Sequence, residues 1–430
     1  MITVVLDDDP TGTQAMSDVS VVLDWSDAAV WKCVEPGDCA VHVLTNSRAH
    51  GALEAGQLVA SAAAAARAQH PGARLVLRGD STLRAHLWEE YDALRAIVAP
   101  GRRGVPLLLV PALPAAGRVT IDGVHLLERD GERVRLDRTE YARDGALAYS
   151  DSELSRWAEE RSGGRFAAAD AVAVPLDRLR GRCGSAEVAA AIDVAAESGR
   201  PAVVIPDAES DDDLRTIAAG LRAAERAGTP VIVRCSPAFV VALTGSAPRT
   251  APAPSGDRGV LVVCGSFVPA STAQLERLAQ RHPEASVKAH VAALAGDAAE
   301  DEIERLAQAA RERIAGAGLA VVATERDRDA SLVDAAGQRR VAAALAQVAR
   351  RVAAGVVIAK GGITSAVTAR DGLGAHSARV VGPIATGVAL WRLSTGTDYA
   401  VFPGNVGGPD LLADVVAAIA PRSPAAESRC

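Results

Sequence analysis

Residues Ile2 to Gln14 read ITVVLDDDPTGTQ. An apolar, β-branched run from Ile2 to Leu6 meets Asp7, Asp8 and Asp9 without a break, and Pro10-Thr11-Gly12 follows. The run predicts a buried strand, and the rest a sharp turn off its carboxyl end. In open parallel sheets, ligands bind in the crevice outside the carboxyl ends of the strands. Three adjacent carboxylates there repel one another unless a cation, an arginine or a shared proton compensates them. The plainer alternative is a solvated acidic turn in which Asp9 or Thr11 caps the next element.

Beyond this stretch, strand-like runs alternate with alanine-rich helical ones along nearly the whole chain, the pattern of βαβ units and parallel sheets. Strands are expected at 19–23, 40–44, 74–77, 107–110, 171–174, 201–205 and 231–234. Helices are expected at 53–69, 83–98, 152–161, 185–198 and 211–226, with Asp80 or Ser81 as the cap of the second. Asp130-Gly131 between apolar flanks predicts a β-hairpin over 124–134. Gly245 to Asp257 (GSAPRTAPAPSGD) lacks periodic apolar residues and reads as a linker. The alternation restarts at Gly259, with strands at 260–263, 286–291, 319–323, 356–359 and 399–402. Helices at 272–281, 300–315, 340–354 and 410–419 separate them, and the tail Pro421 to Cys430 is expected to fray. The fold class is therefore α/β, with two domains, each a mostly parallel β-sheet flanked by helices. They are assigned to residues 1–245 and 259–430, joined by a linker at 246–258.

Composition narrows the function. A chain of 430 residues has room for two cores, and aromatics at 3% leave those cores to Ala, Val, Leu and Ile. A net charge of -7 argues against a nucleic-acid surface. No apolar run reaches the roughly 18 residues of a membrane span, and no signal-like segment opens the chain. The six cysteines are scattered without a CxxC pair, which fits a reduced, cytoplasmic protein.

The residues able to do chemistry cluster at predicted strand ends. In the first half Asp80, Arg84 and Arg118 join the acidic turn. An arginine fork binds a carboxylate bidentately, which suits an acid substrate. Asp8 or Asp9 can accept the proton of a hydroxyl as it attacks phosphorus. Taken singly, Arg84 also reads as an exposed helix residue and Arg118 as a loop residue. His86 and His125 lack any ligand spacing, and no Cys/His cluster supports zinc. In the second half three turns share the order strand, glycine turn, helix: Gly265-Ser266, Gly361-Gly362-Ile363-Thr364-Ser365 and Gly404-Asn405-Val406-Gly407-Gly408. Without Cβ atoms the backbone can approach a phosphate closely, so the three together point to a nucleotide site. Thr364 and Ser365 either donate to a ligand or cap the helix. Lys360 either meets phosphate or is solvated. Neither GxxxxGK[ST] nor a strand-borne GxGxxG is present.

These residues resemble the four-carbon acid sugar kinases, a two-domain family. The matching stretches are Asp8-Asp9-Pro10-Thr11-Gly12, Asp80-Ser81-Thr82-Leu83-Arg84 and Pro111-Ala112-Leu113-Pro114-Ala115-Ala116-Gly117-Arg118. In the second half they are Gly265-Ser266, Lys360 to Ser365 and Pro403 to Gly407, so the likeness covers nearly the whole chain in the family's order. The resemblance implies an N-terminal domain for an acid sugar and a C-terminal domain for ATP. It further implies transfer of the γ-phosphoryl group to the terminal hydroxyl of erythronate, threonate or a 3-oxo relative. It assigns Asp8 to the attacking hydroxyl as catalytic base, and Asp9, Asp80, Ser81, Arg84 and Arg118 to the substrate. Asp9 and Asp80 would orient the substrate or magnesium-bound water. Ser266, Gly361, Gly362, Ile363, Thr364 and Gly404 would hold ATP, with Mg2+ arriving on the nucleotide and its protein ligands unassigned. The sequence departs from the family pattern at Asp7, Thr13-Gln14 and Ala85-His86, beside the expected acid-sugar pocket. The partners implied are the acid sugar and ATP, with neither nucleic acid nor membrane, and the oligomeric state is left open, a homodimer included. The rival reading is a sensor that binds a sugar acid or nucleotide without turnover. An oxidoreductase or aldolase on the same acids fits less well, for want of a dinucleotide fingerprint or metal cluster.

Overall fold

The computed structural model describes residues 2–129, 131–143, 145–246, 248–326 and 335–419. The tail from Pro421 to Cys430 lies outside the described residues, as does Asp130 of the Asp130-Gly131 turn. The described chain forms two compact units. One takes residues 2–12 and 25–246, the other residues 13–24 and 248–419. The twelve residues after Gly12 thus belong to the second unit, which sequence alternation does not reveal. Each unit is an α/β assembly with a mostly parallel sheet.

In the first unit seven parallel strands stand in the order Ala40–Leu44, Thr3–Asp7, Arg74–Arg78, Ile232–Cys235, Leu107–Val110, Val203–Pro206 and Val172–Val174. Thr3–Asp7 and Ala40–Leu44 are buried at every position, as a sheet covered on both faces requires. The helix Ala52–Gln69 buries Ala55, Val59, Ala62, Ala63 and Ala66, a stripe whose small side chains suit close packing. A separate antiparallel sheet of Arg118–Ile121, Val124–Arg129 and Glu132–Arg135 contains the expected hairpin.

The second unit orders Ser286–Ala289, Leu319–Thr324, Val260–Cys264, Val356–Lys360 and Asp398–Phe402 in parallel. Three antiparallel strands extend it: Val388–Leu393, Ser377–Ala385 and Val19–Val22. The 377–393 hairpin has no counterpart among the expected strands. Pro383 and two register shifts interrupt its alternation, which is how a proline is accommodated in a ladder. Segment 13–24 is anchored here by Trp391 Nε1, which donates to Thr13 Oγ1 at 2.9 Å, and by Arg379, which donates to the Asp18 carbonyl at 2.6 Å. Thr13, one of the departures from the family pattern, is thus bonded to a strand of this unit. Among the described residues no helix is long and apolar enough to cross a membrane, and the five described cysteines are free thiols.

Candidate functional site

Strand register decides which side chains meet. Asp7 stands opposite Leu44 on one side and Arg78 on the other, and Arg78 stands opposite Cys235. The segments that leave these strands, Asp8-Asp9, Thr45 to Arg48, Gly79 to Arg84 and Ser236, therefore begin along one carboxyl edge.

Arg78 is the hub of that edge. Its Nε donates to Asp7 Oδ1 at 2.8 Å, its Nη1 lies 3.0 Å from Asp8 Oδ1, and its Nη2 lies 3.2 Å from Asp9 Oδ1. One buried guanidinium thus answers the repulsion of three adjacent carboxylates. Arg48 pairs with Asp9 and lies 3.8 Å from Asp8 and 3.7 Å from Asp80. Arg84 Nε donates to Asp80 at 2.6 Å, and Arg234 pairs with Glu90. Asp8 Oδ2 accepts from the Asp80 amide at 3.1 Å. Asp8 Oδ1, although beside Arg78, accepts no aligned hydrogen bond from the protein.

Charge matching sets the protonation states. Burial alone would raise the Asp7 carboxyl, but Arg78 and His42, whose Nδ1 lies 2.7 Å from Asp7 Oδ2, hold it below the usual range. Burial is likewise outweighed at Asp80, where Arg84 and Arg48 keep the carboxyl ionised. Of the compensations open to crowded acids, the arginines supply the one found at these two carboxyls.

The expected residues Asp8, Asp9, Asp80 and Arg84 come together here. Ser81 is buried, and its carbonyl accepts from His125 Nε2 at 2.9 Å. Arg118 joins through an aromatic ring: both it and Arg84 stand 5.8 Å from the Tyr141 ring centre. Two local readings need correction. The helix expected from 83 starts at Leu87, with His86 rather than Asp80 or Ser81 at its N-cap, because Leu83 adopts a left-handed φ of 67° that breaks the run. Asp80 instead accepts from the Thr82 amide at 3.1 Å, within its own turn. Asp9 accepts from the Thr11 amide at 2.8 Å, as the capping reading has it, but the turn is buried and not solvated. Arg48, Arg78, Arg234, His42, Glu90 and Tyr141 were not singled out from sequence. The available signal was an arginine at or next to the end of the apolar stretches RLVLR and VIVRC.

His125 makes a pH prediction. Its ring is fully buried, with Thr120 Oγ1 3.0 Å from Nδ1, and burial pulls it down to about 4. The unfolded chain takes up this proton below about 6.5 and the folded chain only near 4, so stability falls as pH drops through that window, by about 3 kcal/mol. The stabilisation from Asp7 and Asp80 is present above 3.8 and lost only below it. Urea midpoints at pH 7 and 4.5 should differ less in His125→Gln than in the parent; equal differences would contradict the assignment.

In the second unit Cys264 pairs in register with Lys360, and Lys360 with Phe402, so the three glycine turns leave one edge. They converge on Ser266. A Cβ on Gly404 would lie 2.9 Å from Ser266 Oγ, and one on Gly361, whose φ is 106°, would lie 3.3 Å from Ser266 Cβ. Ser271 Oγ donates to the Gly404 carbonyl at 2.9 Å, and Gln274 Nε2 donates to the carbonyls of Val406, Gly407 and Gly408 at 2.9, 3.2 and 2.9 Å. Thr364 is buried near Gly265, Gly362 is half-buried, and Ile363 is exposed. Ser365 Oγ donates to the Ala359 carbonyl at 2.9 Å, so it neither caps nor faces a ligand. Lys360 is not solvated: it is buried, donates to the Pro403 carbonyl at 3.1 Å and stacks 4.1 Å from the Phe402 ring centre. Burial, with Arg326 adding to it, brings its ammonium down to about 8. Arg326, also missed, donates to the Ser266 carbonyl.

Fold and geometry define an α/β protein with a charge-matched carboxylate–arginine cluster on one sheet edge and three converging glycine turns on another. A sugar-binding N-terminal domain model matches residues 3–243, and a nucleotide-binding C-terminal domain model matches residues 261–412. The chain belongs to the family of proteins built from these two domains. A Salmonella typhimurium LT2 protein, provisionally described as a tRNA synthase, shares the fold at TM-score 0.69 and 20% identity, covering 96% of this chain and 98% of that one. A Haemophilus influenzae protein of the DUF1537 family does so at TM-score 0.64 and 18% identity, covering 96% and 99%. At such identities the likeness shows the fold alone. A search of curated proteins gave no match.

Proposed function

We propose that the protein is an ATP-dependent kinase that phosphorylates the terminal hydroxyl of a four-carbon acid sugar, such as erythronate, threonate or a 3-oxo relative. The observation that carries this reading is the pairing of a sugar-binding domain holding an arginine-rich carboxylate cluster with a nucleotide-binding domain whose glycine turns converge. Phosphoryl transfer asks for positioning and charge stabilisation more than covalent chemistry, which paired charges and converging glycine turns would supply.

Arg84, with its side chain 19% exposed, and Arg118 are the cations that would meet the substrate carboxylate. Asp8 would accept the hydroxyl proton at its undonated Oδ1. Asp9, Asp80 and Ser81 would orient the sugar. Ser266, Gly361, Gly362, Ile363, Thr364 and Gly404 would hold ATP, since the missing Cβ atoms of Gly361 and Gly404 let the turns close on Ser266 and bring their backbone together. Among the described residues no group of three His, Cys, Asp or Glu side chains is arranged for a metal. Asp7, Asp8, Asp9 and Asp80 are already matched by arginines. They do not fit a magnesium site, and any Mg2+ would be held by phosphates and water.

ADP release over a panel of tetronates tests the proposal: release should require one of them. Arg84→Ala should raise KM for that acid roughly tenfold to hundredfold while leaving KM for ATP nearly unchanged, because about 1.5–3 kcal/mol of charged hydrogen bonding is lost. A rise confined to ATP would move Arg84 to the other substrate.

A further inference from the structure

The glycine turns of the second unit carry positive charge that the protein does not balance. Lys360 is fully buried, yet among the described residues its ammonium meets only the Pro403 carbonyl and the Phe402 ring. Arg326 is half-buried beside Ser266. One of its terminal nitrogens donates to the Ser266 carbonyl, the other lies 3.4 Å from Cys264 Sγ, and the guanidinium stands 5.7 Å from the Phe267 ring centre. The two cations feel each other, since Arg326 helps to bring the Lys360 ammonium down. Among the described residues neither has an ion-pair partner. Glu325, the acid next to Arg326 in sequence, is engaged elsewhere: it accepts from the Val291 amide at 3.1 Å and lies 3.8 Å from Lys288 Nζ. The acidic edge of the first unit is the contrast, because Arg48, Arg78, Arg84 and Arg234 each have a carboxylate there.

Cations held out of water without a counter-charge are costly, so this deficit calls for an anion. A group with one negative charge would balance one cation of the two; a phosphate chain balances both. Arginine offers five N–H donors in a planar fork, and only two are used here, so the rest suit phosphate oxygens. The backbone that the turns bring together at Ser266 suits the same ligand. Lys360, fully buried, adds to the field without touching it.

We propose that Arg326 is a binding residue for the polyphosphate of a nucleotide, the side-chain cation that meets phosphate oxygens at the glycine turns. The inference rests on the nucleotide reading of this unit and adds the charged contact, which glycines and hydroxyls do not supply.

Calorimetric titration of the full chain with ATP, inorganic tripolyphosphate and adenosine, without magnesium, tests the proposal. The parent should bind ATP at least tenfold tighter than adenosine. Arg326→Gln should weaken Kd for ATP and for tripolyphosphate at least tenfold and leave adenosine within threefold, and Arg326→Lys should recover part of the loss. Equal weakening of ATP and adenosine would make Arg326 structural and overturn the proposal. ATP and tripolyphosphate that bind Arg326→Gln within threefold of the parent would overturn it while leaving the kinase reading intact. A parent that binds ATP no tighter than adenosine would overturn it without any variant having to fold. Tripolyphosphate bound by the parent and lost in Arg326→Gln, with no ADP released from ATP and any tetronate, would sink the kinase reading and uphold the anion site.

Discussion

Asp8→Asn is expected to lower kcat by about 10²- to 10⁴-fold, the usual cost of losing a general base, with both substrates still binding. The substitution keeps size and leaves an amide oxygen to accept from the Asp80 N–H, now 3.1 Å away, so the local turn should persist. What it removes is the carboxylate oxygen that no protein group donates to. Steady-state kinetics with varied ATP and acid separate this role from two others. A kcat within a few-fold of the parent would discard the base. A deficit largely rescued by raised magnesium would assign Asp8 to the metal instead.

Arg78→Met should cost about 3–5 kcal/mol of stability, because it leaves buried carboxylates without the charge that justifies their burial. For a unit of this size that corresponds to a Tm lower by roughly 6–20 °C. Arg84→Ala, at a pair where Asp80 keeps Arg48 as a second cation, is the comparison and should lower Tm by less. Equal Tm values for Arg78→Met and the parent would mean that Arg48 and Arg234 suffice to balance the acids.

Much of the fold was readable because parallel strands covered on both faces announce themselves as apolar runs. The strands Ala40–Leu44 and Leu107–Val110 and the helix Asp211–Arg226 occur where the periodicity puts them. The acidic turn was readable as an anomaly, since three adjacent carboxylates directly after a buried strand need compensation. Its partners were not. Arg78 faces Asp7 through inter-strand register, and Arg234 arrives from a strand far along the chain. Neither relation is local. The transfer of residues 13–24 to the second unit was invisible too, because an apolar strand reads alike whichever sheet it joins. The solvated alternative for Lys360 fails because its neighbours in space are Pro403 and Phe402, whereas its neighbours in sequence are glycines. Ala85-His86 became interpretable only in three dimensions: Ala85 lines a small cavity with Gly79 and Asp80, and His86 Nε2 donates to the His50 carbonyl at 2.9 Å.

The central claim is transfer of a phosphoryl group from ATP to a terminal sugar-acid hydroxyl. The direct measurement is 31P NMR, with proton coupling retained, of the protein incubated with ATP, magnesium and each tetronate. The account predicts, for one acid, ADP together with a phosphomonoester signal split by two methylene protons, which marks the 4-phosphate. Binding of the acids without ADP, ADP accompanied only by inorganic phosphate, or a phosphoester split by a single proton would contradict it.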